Sequence, residues 1–455
     1  MPDDPLSAAL TWGQRAILGT IDDLGPKANY FTIRRVLPLP TGDEDRIRRM
    51  LRDLAREHES LRTIVVRSGG TRTQRVLDEG PVPAAAEELA HGEDAVRRAR
   101  VTAANLAETP FDLTVEPPIR YSIVRAHDGD AVLALAVSHF AADAYALSLL
   151  TRRIGRLGGG DDGAERPSVQ TVDWQPRMQA AAEAARSAER RTERAVERWT
   201  KVLAAAAAPQ TLDARPGERA DRFVEWSLES ADVQDATERS AQRTQTSPAS
   251  VVLAVWCLTI AMLDGRDDVA LTLISGNRHR DRERGYVGPL AQDTPMLARL
   301  SRGQFDDFVR NVHREALNAY ADGRYDPAAL ANALGAVDDS VRPPSKVLTF
   351  FNDARGAHPA STAGRPPAGP ALRRIGQWAQ LDLQRFLVLQ QIGPSCRLRL
   401  LVDTDLVAAE RIPIVLAAMA DALTAAADGT TVERLTRMLE VACGSREVPQ
   451  DRRTM

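Results

Sequence analysis

Lysine is nearly missing from this chain. Of its 59 basic residues only Lys27, Lys201 and Lys346 are lysines, the rest are arginines, and acidic residues outnumber them to a formal net charge of −3. Sequence-independent nucleic-acid binding needs a large basic excess, so that class is excluded. Cysteine is scarce as well: Cys257, Cys396 and Cys443 lie far apart, with no CxxC pair. They read as reduced structural thiols in a reducing compartment, not as a disulfide framework. The longest apolar stretch, Val251–Leu263, is interrupted by polar residues and is too short to span a bilayer. The N-terminal MPDDPLSAALTWGQRA lacks the charged and apolar regions of a signal peptide, which leaves the cytoplasm as the expected compartment.

Common chemical signatures are missing too. Gly158–Gly160 has no following Lys-Ser/Thr and is no phosphate loop. There is no GxSxG nucleophile elbow, and the seven histidines show no metal-ligand spacing.

What is present is a soluble, core-forming composition, 44% hydrophobic and 27% charged over 455 residues, enough for two to four structural units. Strands alternate with helices, which points to an α/β or α+β architecture. Strand-like runs are Ser60–Arg67, Ile119–Arg125, Ala131–Val137, Val269–Ser275, Val347–Asn352, Phe386–Gln391 and Cys396–Asp403. Helical patterns cover Ile47–Glu57, Ala141–Leu157, Pro176–Ala208, Ser250–Leu263, Ala408–Ala426 and Thr431–Val441. The Gly- and Asp-rich stretch Gly158–Ser168 reads as a surface loop, and the gap near 158–175 as a lobe boundary.

One polar cluster stands out. Val137-Ser138-His139-Phe140-Ala141-Ala142-Asp143 follows an apolar strand and opens a helix. A histidine at a strand end is well placed to project into a cleft. An aspartate four residues later, in the first helical turn, is favoured by the helix dipole. With seven histidines, about half a match to HxxxD is expected by accident. A histidine packed at a strand end beside a helix-stabilising carboxylate therefore stays open on the local pattern alone.

The resemblance that weighs on this choice runs over nearly the whole chain. Thr11-Trp12-Gly13-Gln14 resembles an opening S-x-x-Q, His58-Glu59-Ser60-Leu61-Arg62-Thr63 matches H-E-x-L-R-T, and Pro110-Phe111-Asp112-Leu113 matches P-F-D-L. Pro118-Ile119-Arg120 is similar to P-L-x-R. Ser138-His139-Phe140-Ala141-Ala142-Asp143-Ala144 corresponds to H-H-x-x-x-D-G. Later come Trp199–Leu203 for Y-W-x-x-x-L, Asp267-Asp268-Val269, and Gly276-Asn277-Arg278 for G-R with an extra Asn. Val287–Met296 stands for I-G-x-F-x-N-T-L-P-L, followed by Phe351-Asn352 and the late strand Arg397–Asp405. In this order and spacing the motifs resemble the condensation domains of nonribosomal peptide synthetases.

The resemblance implies two chloramphenicol-acetyltransferase-like lobes in a V, here Met1–Val172 and Asp173–Met455, with a tunnel between them. It implies that His139 orients or deprotonates an amine or hydroxyl acceptor for attack on a thioester. Asp143 is then structural, pairing with Arg278 or, as second choice, Arg62. No cofactor is bound; the phosphopantetheine thioester of an acyl or peptidyl carrier protein is the substrate arm, and the acceptor is a small molecule or a second carrier-bound group. No nucleic-acid or membrane partner is expected. A chain that starts with Met and holds little else is expected to be free-standing. Ser138 replaces the family's first histidine. Ala144 replaces its glycine, where a methyl group would narrow the tunnel. Gln292 replaces the usual Asn. These departures leave open a non-catalytic recruitment protein, and a CoA-dependent acyltransferase is a further alternative.

Overall fold

A computed structural model describes residues 4–39, 43–81, 86–127, 129–158, 174–185, 189–206, 219–335, 347–357 and 370–445. The chain forms two compact units, Met1–Glu189 with Gly276–Ala291, and Arg190–Ser275 with Gln292–Met455. The expected boundary at Val172/Asp173 lies outside the described residues, as does the expected loop Gly158–Ser168 apart from Gly158, which ends the helix Ala144–Gly158. The expected helix Pro176–Ala208 is two helices, Pro176–Glu183 and Glu189–Ala205.

The first unit is built on a four-stranded sheet. Its order is Thr32–Leu39, Ala131–Ser138, Ile119–Arg125, Glu87–Glu88; the first three are antiparallel and the last pairs in parallel. Ala131–Ser138 is the central strand and every residue in it is buried. Its alternation sorts the side chains. Leu133, Leu135 and Val137 pack with Ile47, Leu51 and Leu54 and with Leu147 and Leu150, while Val132 and Ala134 pack with Ala95, Ala99 and Ala103. Small residues on both partners let the helix Ala95–Glu108 lie close to the sheet. A strand buried on both faces reads as a continuous apolar run, which is why it was legible.

Two of the family-like motifs turn out to be joints. Thr11 and Gln14 form a capping box on the helix Trp12–Leu24, with N–H to side-chain oxygen distances of 3.1 and 2.8 Å. In His58–Thr63, the Thr63 hydroxyl donates to the Glu59 carbonyl at 2.7 Å, and Glu59 pairs with Arg177. Arg62 donates to the carbonyls of Ala55 and Leu77, tying the end of the helix Glu44–Glu57 to the end of the strand Thr71–Val76.

The second unit holds a seven-stranded mixed sheet, ordered Gln292–Arg299, Asp268–Ser275, Thr349–Asp353, Arg385–Ile392, Ser395–Asp403, Phe223–Ser230, Ala371–Trp378. Only Thr349–Asp353 runs parallel to its neighbours. One face is covered by helices that include Pro248–Asp264, Phe305–Ala321 and Ile412–Ala426, whose apolar residues join Leu228, Leu271, Leu387 and Leu398 in one core. The strands Phe223–Ser230 and Ala371–Trp378 were not anticipated. Ala371–Trp378 is a polar edge strand carrying Arg373 and Arg374, so burial leaves little mark on its sequence. Among the described residues no single helix is long and apolar enough to cross a membrane.

Candidate active site

The central strand Ala131–Ser138 delivers His139 to its end. The His139 N–H donates to the Phe31 carbonyl at 2.8 Å, continuing the ladder one step past the strand. The Phe31 ring stands edge-on to the imidazole at 5.9 Å. The chain then turns, with the Ala141 N–H donating to the Ser138 carbonyl at 2.9 Å and the Phe140 N–H to the Ser138 hydroxyl at 3.3 Å. Ser138 is thus a turn-closing residue, a task a short hydroxyl performs well.

His139 Nδ1 is buried with no hydrogen bond to another described residue. Its own main-chain carbonyl lies close enough to raise the ring's basicity, though outside good hydrogen-bond geometry. Burial acts in the other direction and prevails over both that carbonyl and the Asp143 charge, so the imidazole sits below the ordinary histidine value and is neutral at pH 7.

Asp143 does not lie in the first helical turn as expected. It is the N-cap just before the helix Ala144–Gly158: its carboxylate accepts from the Ala146 N–H at 2.8 Å, and its carbonyl accepts the first helical bond from Leu147. The same carboxylate accepts from the main-chain N–H groups of Leu290 and Ala291 at 3.0 and 3.2 Å. Arg278 donates to both of its oxygens, at 2.8 and 3.0 Å. Burial opposes the charge, but Arg278 and the N–H groups of Ala146 and Leu290 outweigh it and hold the carboxyl below its ordinary range. Arg62, the second choice of partner, is committed to the Ala55 and Leu77 carbonyls instead.

Arg278 is held through its two terminal nitrogens, while its Nε has no hydrogen-bond partner among the described residues. It donates to the carbonyls of Glu283 and Tyr286 at 2.7 Å each and of Gly288 at 3.0 Å, and its guanidinium lies 4.7 Å over the Tyr145 ring. The extra residue beside it, Asn277, takes φ +52, a left-handed conformation that asparagine tolerates. Its amide donates to the Leu290 carbonyl at 2.9 Å, so it braces a residue that in turn holds Asp143. Ala144 is the partly exposed first residue of its helix and has no positive φ, so the backbone here does not require the family's glycine. Gln292 pairs with the Tyr325 main chain, donating at 2.9 Å. Local patterns did not reveal Leu290, Ala291, Tyr145 or Phe31, because main-chain donors and ring contacts leave no composition signal. Among the described residues no cluster of three or more potential metal ligands exists.

The arrangement is a neutral base on a strand end, with the following helix nailed to a distant segment by a buried ion pair. A neutral imidazole in such a place is chemically able to accept a proton.

Comparisons with known proteins bear on the family and the fold. The family model described as Condensation domain matches residues 24–350. Phosphinothricin tripeptide synthetase PhsB from Streptomyces viridochromogenes is 26% identical over 333 residues, covering 70% of this chain and 27% of that protein. The chain therefore spans about a quarter of that relative's length. Among solved structures, the condensation domain of the enacyloxin polyketide synthase, described for chain release, superposes with a TM-score of 0.70 at 18% identity, covering all of this chain and 86% of that one. The X-domain from teicoplanin biosynthesis, solved in complex with OxyB, gives 0.67 at 19% identity, covering 99% and 98%.

Proposed function

The chain belongs to the condensation-domain family, and on that premise we propose that it passes an acyl or aminoacyl group from a carrier-protein thioester to an amine or hydroxyl acceptor, forming an amide or ester in natural-product biosynthesis. The observation that carries the reading is the buried Asp143–Arg278 pair, which fixes the turn bearing a neutral His139. In the reaction, Nε2 of His139 takes the proton as the nucleophile attacks the thioester carbonyl. The carbon–sulfur bond then breaks and the proton passes to the leaving thiolate. General-base help of this kind contributes about 10²–10⁴-fold. The phosphopantetheine arm is a substrate, not a resident cofactor. The unbridged, buried Cys257, Cys396 and Cys443 suit a reducing cytoplasm.

The replacement of the first motif histidine by Ser138, with the X-domain among the structural neighbours, favours a second reading: recruitment of a partner without catalysis. One experiment separates the two. Turnover is compared with acyl-carrier, acyl-CoA and a truncated acyl thioester at equal concentration. A docked carrier delivers its arm as an intramolecular event and should win clearly. Equal rates with all three would replace the carrier by CoA-type donors. Carrier binding without transfer would favour recruitment.

A further inference from the structure

A general base has to be held at a fixed angle, and a common holder is a carboxylate hydrogen-bonded to the far ring nitrogen. His139 is held otherwise. The oxygens of Asp143 are taken by Arg278 and by the N–H groups of Ala146, Leu290 and Ala291. The buried His139 Nδ1 has no hydrogen-bond partner among the described residues. The side chain that packs against the imidazole ring is Phe31.

That contact is built into the sheet of the first unit. The strand Thr32–Leu39 pairs with Ala131–Ser138 from Thr32 opposite Ser138 onward, and the His139 N–H bond to the Phe31 carbonyl at 2.8 Å carries the register one step further. Phe31 therefore stands opposite His139, and cross-strand neighbours share a face. Ile33, opposite Val137, is the next pair on that face and packs into the core beneath. The two rings meet edge-on, with centroids 5.9 Å apart and planes at 60°, inside the range of about 4.5–7 Å in which such pairs attract. Tyr30 backs Phe31 in turn, edge-on at 5.6 Å. Among the described strands Thr32–Leu39 is the outer one, so Phe31 covers the imidazole on the side of the sheet edge.

We infer that Phe31 is the positioning residue of His139: its ring sets the angle of the imidazole and keeps water from that flank. The role of His139 as a base rests on the acyl-transfer reading; the contact itself does not. An aromatic edge restrains the ring without raising its basicity, which a hydrogen-bonded carboxylate would do. Burial can then keep the imidazole below its ordinary value. Of the described charges, Asp143 acts on the ring, in the raising direction. Arg278 is engaged with Asp143 and lies over Tyr145. Arg35 lies further along the same face, opposite Leu135. Tyr121, on the strand beyond, is kept neutral by burial.

The test uses the full chain, with Phe31→Leu, Phe31→Ala and Phe31→Tyr each checked by thermal melting. Diethyl pyrocarbonate modifies the unprotonated imidazole, and peptide mass spectrometry reads its rate at His139 without any substrate, from about pH 5 to about pH 8. Transfer from an acyl-carrier donor is followed alongside. The wild-type midpoint should lie below the ordinary 6.5. In Phe31→Leu and Phe31→Ala modification should speed up and its midpoint should rise toward 6.5. In the same two variants kcat should fall by about 10- to 10²-fold with KM little changed. Phe31→Tyr keeps the ring edge and should keep the wild-type midpoint. A wild-type midpoint at or above 6.5 would overturn the inference before any variant is made. The same rate and midpoint in wild type, Phe31→Leu and Phe31→Ala would overturn it too, and a fall in transfer alone would make Phe31 a substrate contact instead. If Phe31→Tyr shifts as far as Phe31→Ala, the ring is not what holds His139 and the inference fails. Modification altered as expected, with no acyl transfer by any form, would sink the acyl-transfer reading and leave the positioning contact standing.

Discussion

Asp143 and Arg278, 135 residues apart in sequence, meet at 2.8 and 3.0 Å with side chains only 4% and 6% exposed. Removing one charge from such a pair strands the other. Asp143→Asn should therefore lose about 3–5 kcal/mol of stability, read as a drop in melting temperature, along with activity. A variant that melts like the wild type yet is inactive would mean that Asp143 acts in the chemistry itself.

Arg278→Lys should not preserve the site. One ammonium cannot serve Asp143 and the carbonyls of Glu283, Tyr286 and Gly288 together, nor lie flat over Tyr145. Its melting temperature should fall toward that of Asp143→Asn; equality with the wild type would show that charge alone suffices.

His139→Ala should behave differently. The ring is no keystone: Nδ1 bonds no other described residue, and the His139 main-chain bond to Phe31 survives the substitution. Acyl transfer should drop about 10²–10⁴-fold with melting little changed. Near wild-type turnover would remove His139 from the chemistry.

These contrasts show which parts of the site were legible in the sequence. The strand Ala131–Ser138 announced itself because both faces are buried and every residue is compatible with that. The Asp143–Arg278 pair was reached only through resemblance, since no local pattern links residues so distant. Leu290 and Ala291 contribute main-chain N–H groups, which any residue could supply. Asp143 is expected as the third residue of a helix starting at Ala141 and is instead the N-cap of one starting at Ala144, because caps and first turns draw on the same residue types.

Gly13 gives a packing test of the same site. A Cβ there would lie 2.0 Å from the Pro289 carbonyl oxygen, a backbone atom that cannot step aside alone. Gly13→Ala should push on the segment that carries Leu290 and Ala291 and so loosen Asp143. Both melting temperature and transfer should fall. Gly155→Ala, where the new methyl meets nothing within 4 Å, is the control and should melt at or slightly above the wild type. Equal behaviour of the two variants would refute the close approach.

Acid should expose a different weak point, His58. Burial holds its imidazole down to about 4 from an ordinary value of 6.5, with Arg153 adding to the effect and Glu57 opposing it. Its Nδ1 is buried without a partner among the described residues. A group whose folded value lies below its unfolded value binds protons more readily when unfolded. Its contribution is thus complete above about pH 6.5, declines as pH falls, and is gone below about 4. The shift corresponds to about 3 kcal/mol over that window. Asn in place of His58 cannot take up a proton, so the difference in stability between wild type and His58→Asn should narrow or reverse in favour of the variant as pH drops from 7 to 4. His139 and the carboxylates titrate in both proteins and cancel in the difference. Denaturant unfolding at a series of pH values measures it directly. A difference that stays constant from pH 7 to 4 would mean that the His58 ring has access to water, and that its burial in the joint between Glu57 and Glu59 is not maintained in solution.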